Sequence, residues 1–255
     1  MDQLENRRIL ESGVLDWACP VPYFGQLSTA RIATVGINPS VREFATIGGS
    51  ELTGDARRFP TIHSLQLSAW GQADATHIVE VAKACNQYFS ANPYRRWFGV
   101  LEEVLRHTGG SYFGHTPTAC HIDLVPYATV QRWGALAGWQ REQLLMAASN
   151  LIGQLLSASQ IRALVLNGQS VVRHFADMSN VRFTTIEPDD WRLGSGGRGW
   201  VRGIGYLGVA TRIGEIPLDT PVTVIGFNHN LQSSFGVTRS AVTAIGQWLS
   251  SKTPK

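Results

Sequence analysis

Residues 31–40 read RIATVGINPS, an apolar run of strand length that stops on Gly36, Asn38 and Pro39. Ile32, Ala33, Thr34, Val35 and Ile37 have the near-continuous apolar character of a strand buried on both faces of a parallel sheet. Pro39 fixes its own φ and restricts Asn38 before it, so the chain leaves the strand on a stiff turn. The carboxyl ends of such strands are where open α/β sheets bind ligands, which puts a polar Asn38 in a position to do chemistry. An ordinary strand-to-loop turn also accounts for these residues taken alone. The rest of the chain decides between the two.

Three more apolar runs of strand length follow: ACHIDLVP at 119–126, Ala163–Asn167 and Val222–Phe227. Helical periodicity separates them. Asn92-Pro93-Tyr94 opens a helix that buries Trp97, Phe98, Leu101, Val104 and Leu105 and ends at Gly109-Gly110. An apolar stripe through Leu144, Leu145, Ala148, Leu151, Ile152, Leu155 and Leu156 predicts one amphipathic helix over 141–157, and Thr238 caps a last helix. The alternation predicts a three-layer α/β/α sandwich around a four-stranded, mostly parallel sheet, one domain over 1–255. Alternating, Gly-punctuated segments at about 181–219 read as a β-hairpin insertion, and 41–61 reads as a long loop over a strand end.

The chain has 255 residues, 44% of them hydrophobic and 16% charged, enough for one sizeable core. A net charge of +3 permits an anionic partner without requiring one. Cys19, Cys85 and Cys120 are too scattered for a disulfide framework or a zinc site, so neither metal nor cofactor is expected, and a reducing cytoplasm fits best. MDQLENRRIL lacks an apolar signal core, and no apolar stretch is long enough to span a bilayer.

The strands end in three polar constellations: Asn38, then His121 with Asp123, then Asn228 with His229. Together with their flanks these resemble the uracil-DNA glycosylase superfamily. GINPS at 36–40 is similar to the water-positioning GINPG motif of the mismatch-specific branch, and ANPYRRWFGVLEEVLRHTG at 91–109 to that branch's ANP segment and following helix. HIDLVP at 121–126 occupies the place of the base-reading strand, and NHNLQSS at 228–234 looks like a degenerate HPSPLS motif. The departures are Asp123 in place of the usual Asn, the missing Pro after His229, and the hairpin insertion. The resemblance implies a sheet of order 2-1-3-4 and a monomeric enzyme that hydrolyses the N-glycosidic bond of a pyrimidine flipped from duplex or single-stranded DNA; with no Lys in the four motifs to form a Schiff base with the sugar, a metal-free, monofunctional enzyme is expected.

It also implies roles. Asn38 orients the attacking water, and His229 donates to the base O2 as charge develops there. Asp123, Ser40, Gly36, Ile37 and His121 contact the base. Leu231, beside Asn230, fills the vacated stack. An ionised Asp123 offers acceptors only, matching the exocyclic amine of cytosine and repelling uracil O4. Ser40, where uracil enzymes carry a Tyr, leaves room at the pyrimidine C5. The pair points to a 5-modified cytosine, such as the glucosylated 5-hydroxymethylcytosine removed by anti-phage members; ordinary uracil or mismatch repair and an inactive DNA-binding module are the alternatives. Arg42, Arg57, Arg58 and Arg198 can track phosphates, with Trp191 and Trp200 available to stack on bases. Structural readings stand beside these: Asp123 as a buried partner of an Arg, His229 as a loop histidine, Leu231 and the tryptophans as core.

Overall fold

The computed structural model describes residues 4, 6–194 and 199–254. In chain order its main elements are α1 (Arg7–Glu11), β1 (Ile32–Gly36), α2 (Ala75–Gln87), α3 (Arg95–Arg106), β2 (Ala119–Asp123), α4 (Gly138–Ala147), α5 (Leu151–Ser157) and β3 (Ala163–Asn167). There follow α6 (Gln169–Met178), β4 (Thr184–Ile186), β5 (Leu193–Gly194), β6 (Trp200–Val201), β7 (Gly205–Ile213), β8 (Ile216–Phe227) and α7 (Arg239–Lys252). Two compact units emerge, each assembled from distant segments: one from Met1–Gly25, Ile37–Pro93 and Asp123–Ser149, the other from Gln26–Gly36, Tyr94–Ile122 and Asn150–Lys255.

The second unit carries the sheet. Its order is β2-β1-β3-β8-β7-β4, with β1–β3 and β3–β8 parallel and β8–β7 and β7–β4 antiparallel. The protein is thus α/β, and β1 is the strand expected from RIATVG. Ala33, Val35, Leu164, Val165, Leu166, Val224, Ile225 and Phe227 are buried along the parallel strands, which is why these read as unbroken apolar runs. Helices α5, α6 and α7 pack on the sheet, and α3 packs on α7. Gly226 is required there, because a Cβ would lie 2.8 Å from Val172 Cγ2 on α6.

Four strands were expected and the sheet has six. The antiparallel strands read at about 181–219 are present: β7 and β8 turn at Gly214, φ +56°, and with β4 they extend the parallel strands into one sheet. The reading of 222–227 as a short fourth strand is corrected by the length of β8, which continues back to Ile216. Pro221 has no N–H for a ladder. It falls within a bulge: Ala210 pairs with Val222 and Arg212 with Pro217, so Thr211 alone faces Leu218–Pro221 and no ladder bond is required of the proline. The helix expected over 141–157 is broken, α4 ending at Ala147 and α5 beginning after Asn150. The side chain of Asn150 accepts from Glu215 N–H at 2.8 Å, a tertiary bond that competes with helix continuation.

The first unit is built largely of loops around an aromatic core. Phe59 and Tyr88 stack at 5.3 Å, Phe24 meets both edge-on, and Phe44 lies 5.7 Å from Phe59. Rigid rings of large area replace regular secondary structure as the source of stability here.

Candidate active site

Asn38 follows β1 directly and belongs to the first unit. Its Nδ2 donates to the Tyr127 carbonyl at 3.2 Å and to Thr129 Oγ1 at 3.1 Å. Thr129 places its own hydroxyl proton on the Gln131 carbonyl at 2.7 Å, so toward Asn38 it can only accept. Two obligate acceptors therefore fix which end of the amide is which. Oδ1 is left as a half-buried acceptor with no hydrogen-bond partner among the described residues, the geometry needed to hold a water by one of its protons.

Ser40 is half-buried and caps a short turn, its Oγ accepting from Arg42 N–H at 3.1 Å. That turn carries Glu43 inward. Glu43 is 2% exposed; its Oε2 accepts from Tyr88 O–H at 2.8 Å and lies 3.8 Å from Arg58 Nε. Among the described residues its Oε1 has no hydrogen-bond partner. Burial raises the Glu43 pKa to about 7, the Tyr88 hydrogen bond and the Arg58 charge lower it, and the neighbouring charge of Asp123 raises it again. Asp123, the last residue of β2, is buried in the same unit. Sequence reasoning missed Glu43: it is one acidic residue in a loop without periodicity, and its burial comes from Tyr88 and the aromatic core.

Arg42 and Arg58, expected to track phosphates, are bonded within the loop. Arg42 Nη1 donates to the Thr46 carbonyl, and Arg58 donates to the carbonyls of Asn92 at 2.8 Å and Arg42 at 2.7 Å besides facing Glu43. They are struts of the loop. Arg57 is exposed, and Arg198 lies outside the described residues.

The other expected site residues lie in the second unit. Gly36 ends β1, while Ile37, in the first unit, accepts from Val125 N–H at 2.9 Å. His121 is corrected: it is buried, its Nδ1 is 2.7 Å from Thr34 Oγ1, and its ring meets Phe98 edge-on at 5.2 Å. Standing two residues before the end of β2, about 7 Å back along a strand, it is a packed core residue rather than a reader at the strand end.

His229 is also buried, and its Nε2 is 2.8 Å from the Trp191 carbonyl. A carbonyl only accepts, so Nε2 carries the proton, and burial lowers the ring's pKa and keeps it neutral. The single N–H of the neutral ring is engaged. The donor role expected of a neutral His229 does not hold in this arrangement.

Its neighbours are similarly engaged. Asn228 accepts from Ile204 N–H at 2.8 Å and donates to the Arg202 carbonyl at 2.8 Å. The Asn230 side chain accepts from Gln232 and Ser233 N–H, both at 3.1 Å, shaping the loop from within. Leu231 is corrected from wedge to core: it is 5% exposed, and its N–H donates to Asn167 Oδ1 at 3.1 Å. Trp191 is buried against Trp248 while Trp200 is exposed, which separates the two residues proposed to stack on bases. Gln232 Nε2 is a buried donor without a partner among the described residues, its Oε1 being held by Asn167 Nδ2.

No family model and no curated protein matches this chain. The chemistry must be read from the residues. The three cysteines are buried, and burial pushes their thiols up, Cys85 to about 12, so none presents a thiolate at neutral pH. Among the described residues no helix is long and apolar enough to cross a membrane.

Proposed function

We propose that the protein is a monofunctional DNA glycosylase that hydrolyses the N-glycosidic bond of a flipped-out pyrimidine, with a 5-modified cytosine as the favoured base. The observation that carries this reading is the pinned amide of Asn38, which presents a carbonyl oxygen and no proton at the exit of the first sheet strand. Such an acceptor orients a water without deprotonating it, which is enough for a reaction that passes through a sugar cation. The C1′–N1 bond breaks first, its electron pair leaving with the base, and water then adds to C1′. Extruding the base costs roughly a few kcal/mol, least for a damaged or single-stranded site.

Asp123 supports the choice of base. In its ionised form it accepts the exocyclic amine of cytosine, whereas uracil would bring O4 against it. The small Ser40 side chain, turned into a cap, adds little bulk beside Asn38. The test is a panel of duplex and single-stranded oligonucleotides carrying U, T, C, 5-hydroxymethylcytosine or its glucosylated form, read as alkali-labile breaks. Breaks at the modified cytosines are the expected result. Breaks at uracil or at mismatched T alone would instead make it a repair enzyme, and binding without breaks would make it a DNA-binding module.

A further inference from the structure

A departing pyrimidine needs a proton or a donor, and the neutral ring of His229 has its one N–H on Trp191. The first unit contains another source. Glu43 is the last residue of the short turn that Ser40 caps, five residues after Asn38 and turned inward, with Asp123 close enough to act on it electrostatically. Its two oxygens are not equivalent. Oε2 receives the Tyr88 proton and faces Arg58, so a proton on the carboxyl belongs on Oε1, which no described residue uses. Among the described residues Arg58 and Asp123 act on it directly, Arg42 turns to the Thr46 carbonyl, and Glu51 pairs with His63.

We infer that Glu43 is the general acid of this site, donating from Oε1 to N3 of a flipped cytosine whose amine is accepted by Asp123. The inference rests on the glycosylase reading above and names the half of the base edge that Asp123 leaves unread. Cytosine presents a donor at N4 and an acceptor at N3. An ionised Asp123 beside a protonated Glu43 presents the complement, one acceptor and one donor, whereas uracil's O4 and N3–H would face both the wrong way. As the C1′–N1 bond breaks, its electron pair stays with the base and the Oε1 proton passes to N3, so the base leaves neutral. The water held by Asn38 adds to C1′, and the proton it releases reaches solvent, from which Glu43 is reprotonated after the product departs. The sum is deoxyribose–base plus water giving deoxyribose and free base. A carboxyl pushed up to about 7 has the proton affinity this step requires near neutral pH.

The experiment is the pH profile of single-turnover base release from oligonucleotides carrying 5-hydroxymethylcytosine or its glucosylated form, for the wild-type chain, Glu43→Gln and Tyr88→Phe. Wild-type rates should be level below about pH 7 and fall about tenfold per pH unit above it, as the acid form is lost. Glu43→Gln keeps a donor amide but has no proton to give, so it should lose at least about a hundredfold at pH 6 and show no alkaline limb. Tyr88→Phe removes a bond that favours the carboxylate, so its limb should move to higher pH. A Glu43→Gln profile that retains the wild-type limb, or a Tyr88→Phe limb that stays put or moves down, overturns the assignment while leaving the glycosylase reading intact. Should Glu43→Gln not fold, Tyr88→Phe decides alone. Absence of base release from the wild-type chain at every pH overturns the glycosylase reading and this inference with it.

Discussion

The polar groups of the first unit and those of the second are bonded in opposite ways. Among the described residues Asn38 and Glu43 are each held at one end and left open at the other: Nδ2 is pinned and Oδ1 is not, Oε2 is bonded and Oε1 is not. Around His229 most bonds close on the protein itself, with Nε2 on Trp191, both ends of Asn228 on the 202–204 backbone, and Asn230 folded into its own loop; Gln232, held at Oε1 by Asn167, is the exception. Buried polar groups that are fully paired specify structure, whereas a group oriented by its partners with one atom to spare is ready for a ligand. The histidine at a strand end is closed on the protein and the glutamate in a loop is left with an open oxygen, the reverse of what residue type alone would indicate.

Substitutions on the two sides should break or sharpen this contrast. The largest effect is expected at Asp123. Asp123→Asn replaces an acceptor by a group that can face a donor to O4, so the ratio of cytosine to uracil excision should fall by about a hundredfold or more, measured on paired oligonucleotides. A ratio that does not move places Asp123 in the structural class. Leu231→Ala should cost about 2–5 kcal/mol of stability by denaturant unfolding, as a buried leucine does, with excision per folded molecule unchanged. A wedge would show the converse.

Glu43 supplies a pH test of stability. Its pKa is raised in the folded state from 4.5 to about 7, so the folded chain holds a proton that the unfolded chain releases. Stability from this group is fully present below pH 4.5 and is lost as pH rises through about 7. The loss is on the order of 3 kcal/mol. Glu43→Gln should flatten that part of the profile and be the more stable form, relative to wild type, at pH 8 than at pH 5. The smallest effect belongs to His229→Ala, which leaves the Trp191 carbonyl without its donor and should cost about 1–3 kcal/mol, again without a change in the chemical step.

The parallel frame was legible because buried strands need continuous apolar residues and Gly-Asn-Pro turns end them, as at 32–39. The cap of α7 was legible for the same local reason, Thr238 Oγ1 accepting from Ala241 N–H at 3.1 Å. What failed depended on distant contacts. The apolar stripe runs unbroken across the gap between α4 and α5, where Asn150 answers to a residue on the β7–β8 turn, and Pro221 hides a strand that its bulge makes continuous. Asn38 was found as a residue, but its orientation comes from Thr129, and nothing local to Glu43 shows that Tyr88 and a cluster of rings enclose it. His121 and Leu231 were expected at the site from motif resemblance, while their surroundings make them core.

The most direct test of the account is single-turnover base release from DNA containing 5-hydroxymethylcytosine or its glucosylated form by the wild-type chain and by Asn38→Ala, with DNA binding measured alongside. The expected result is free base and alkali-labile sites from the wild type, at least about a hundredfold less from Asn38→Ala, in line with the loss of one preorganised group, and equal binding by both. Equal release by the two proteins, or binding with no release by either, would contradict it.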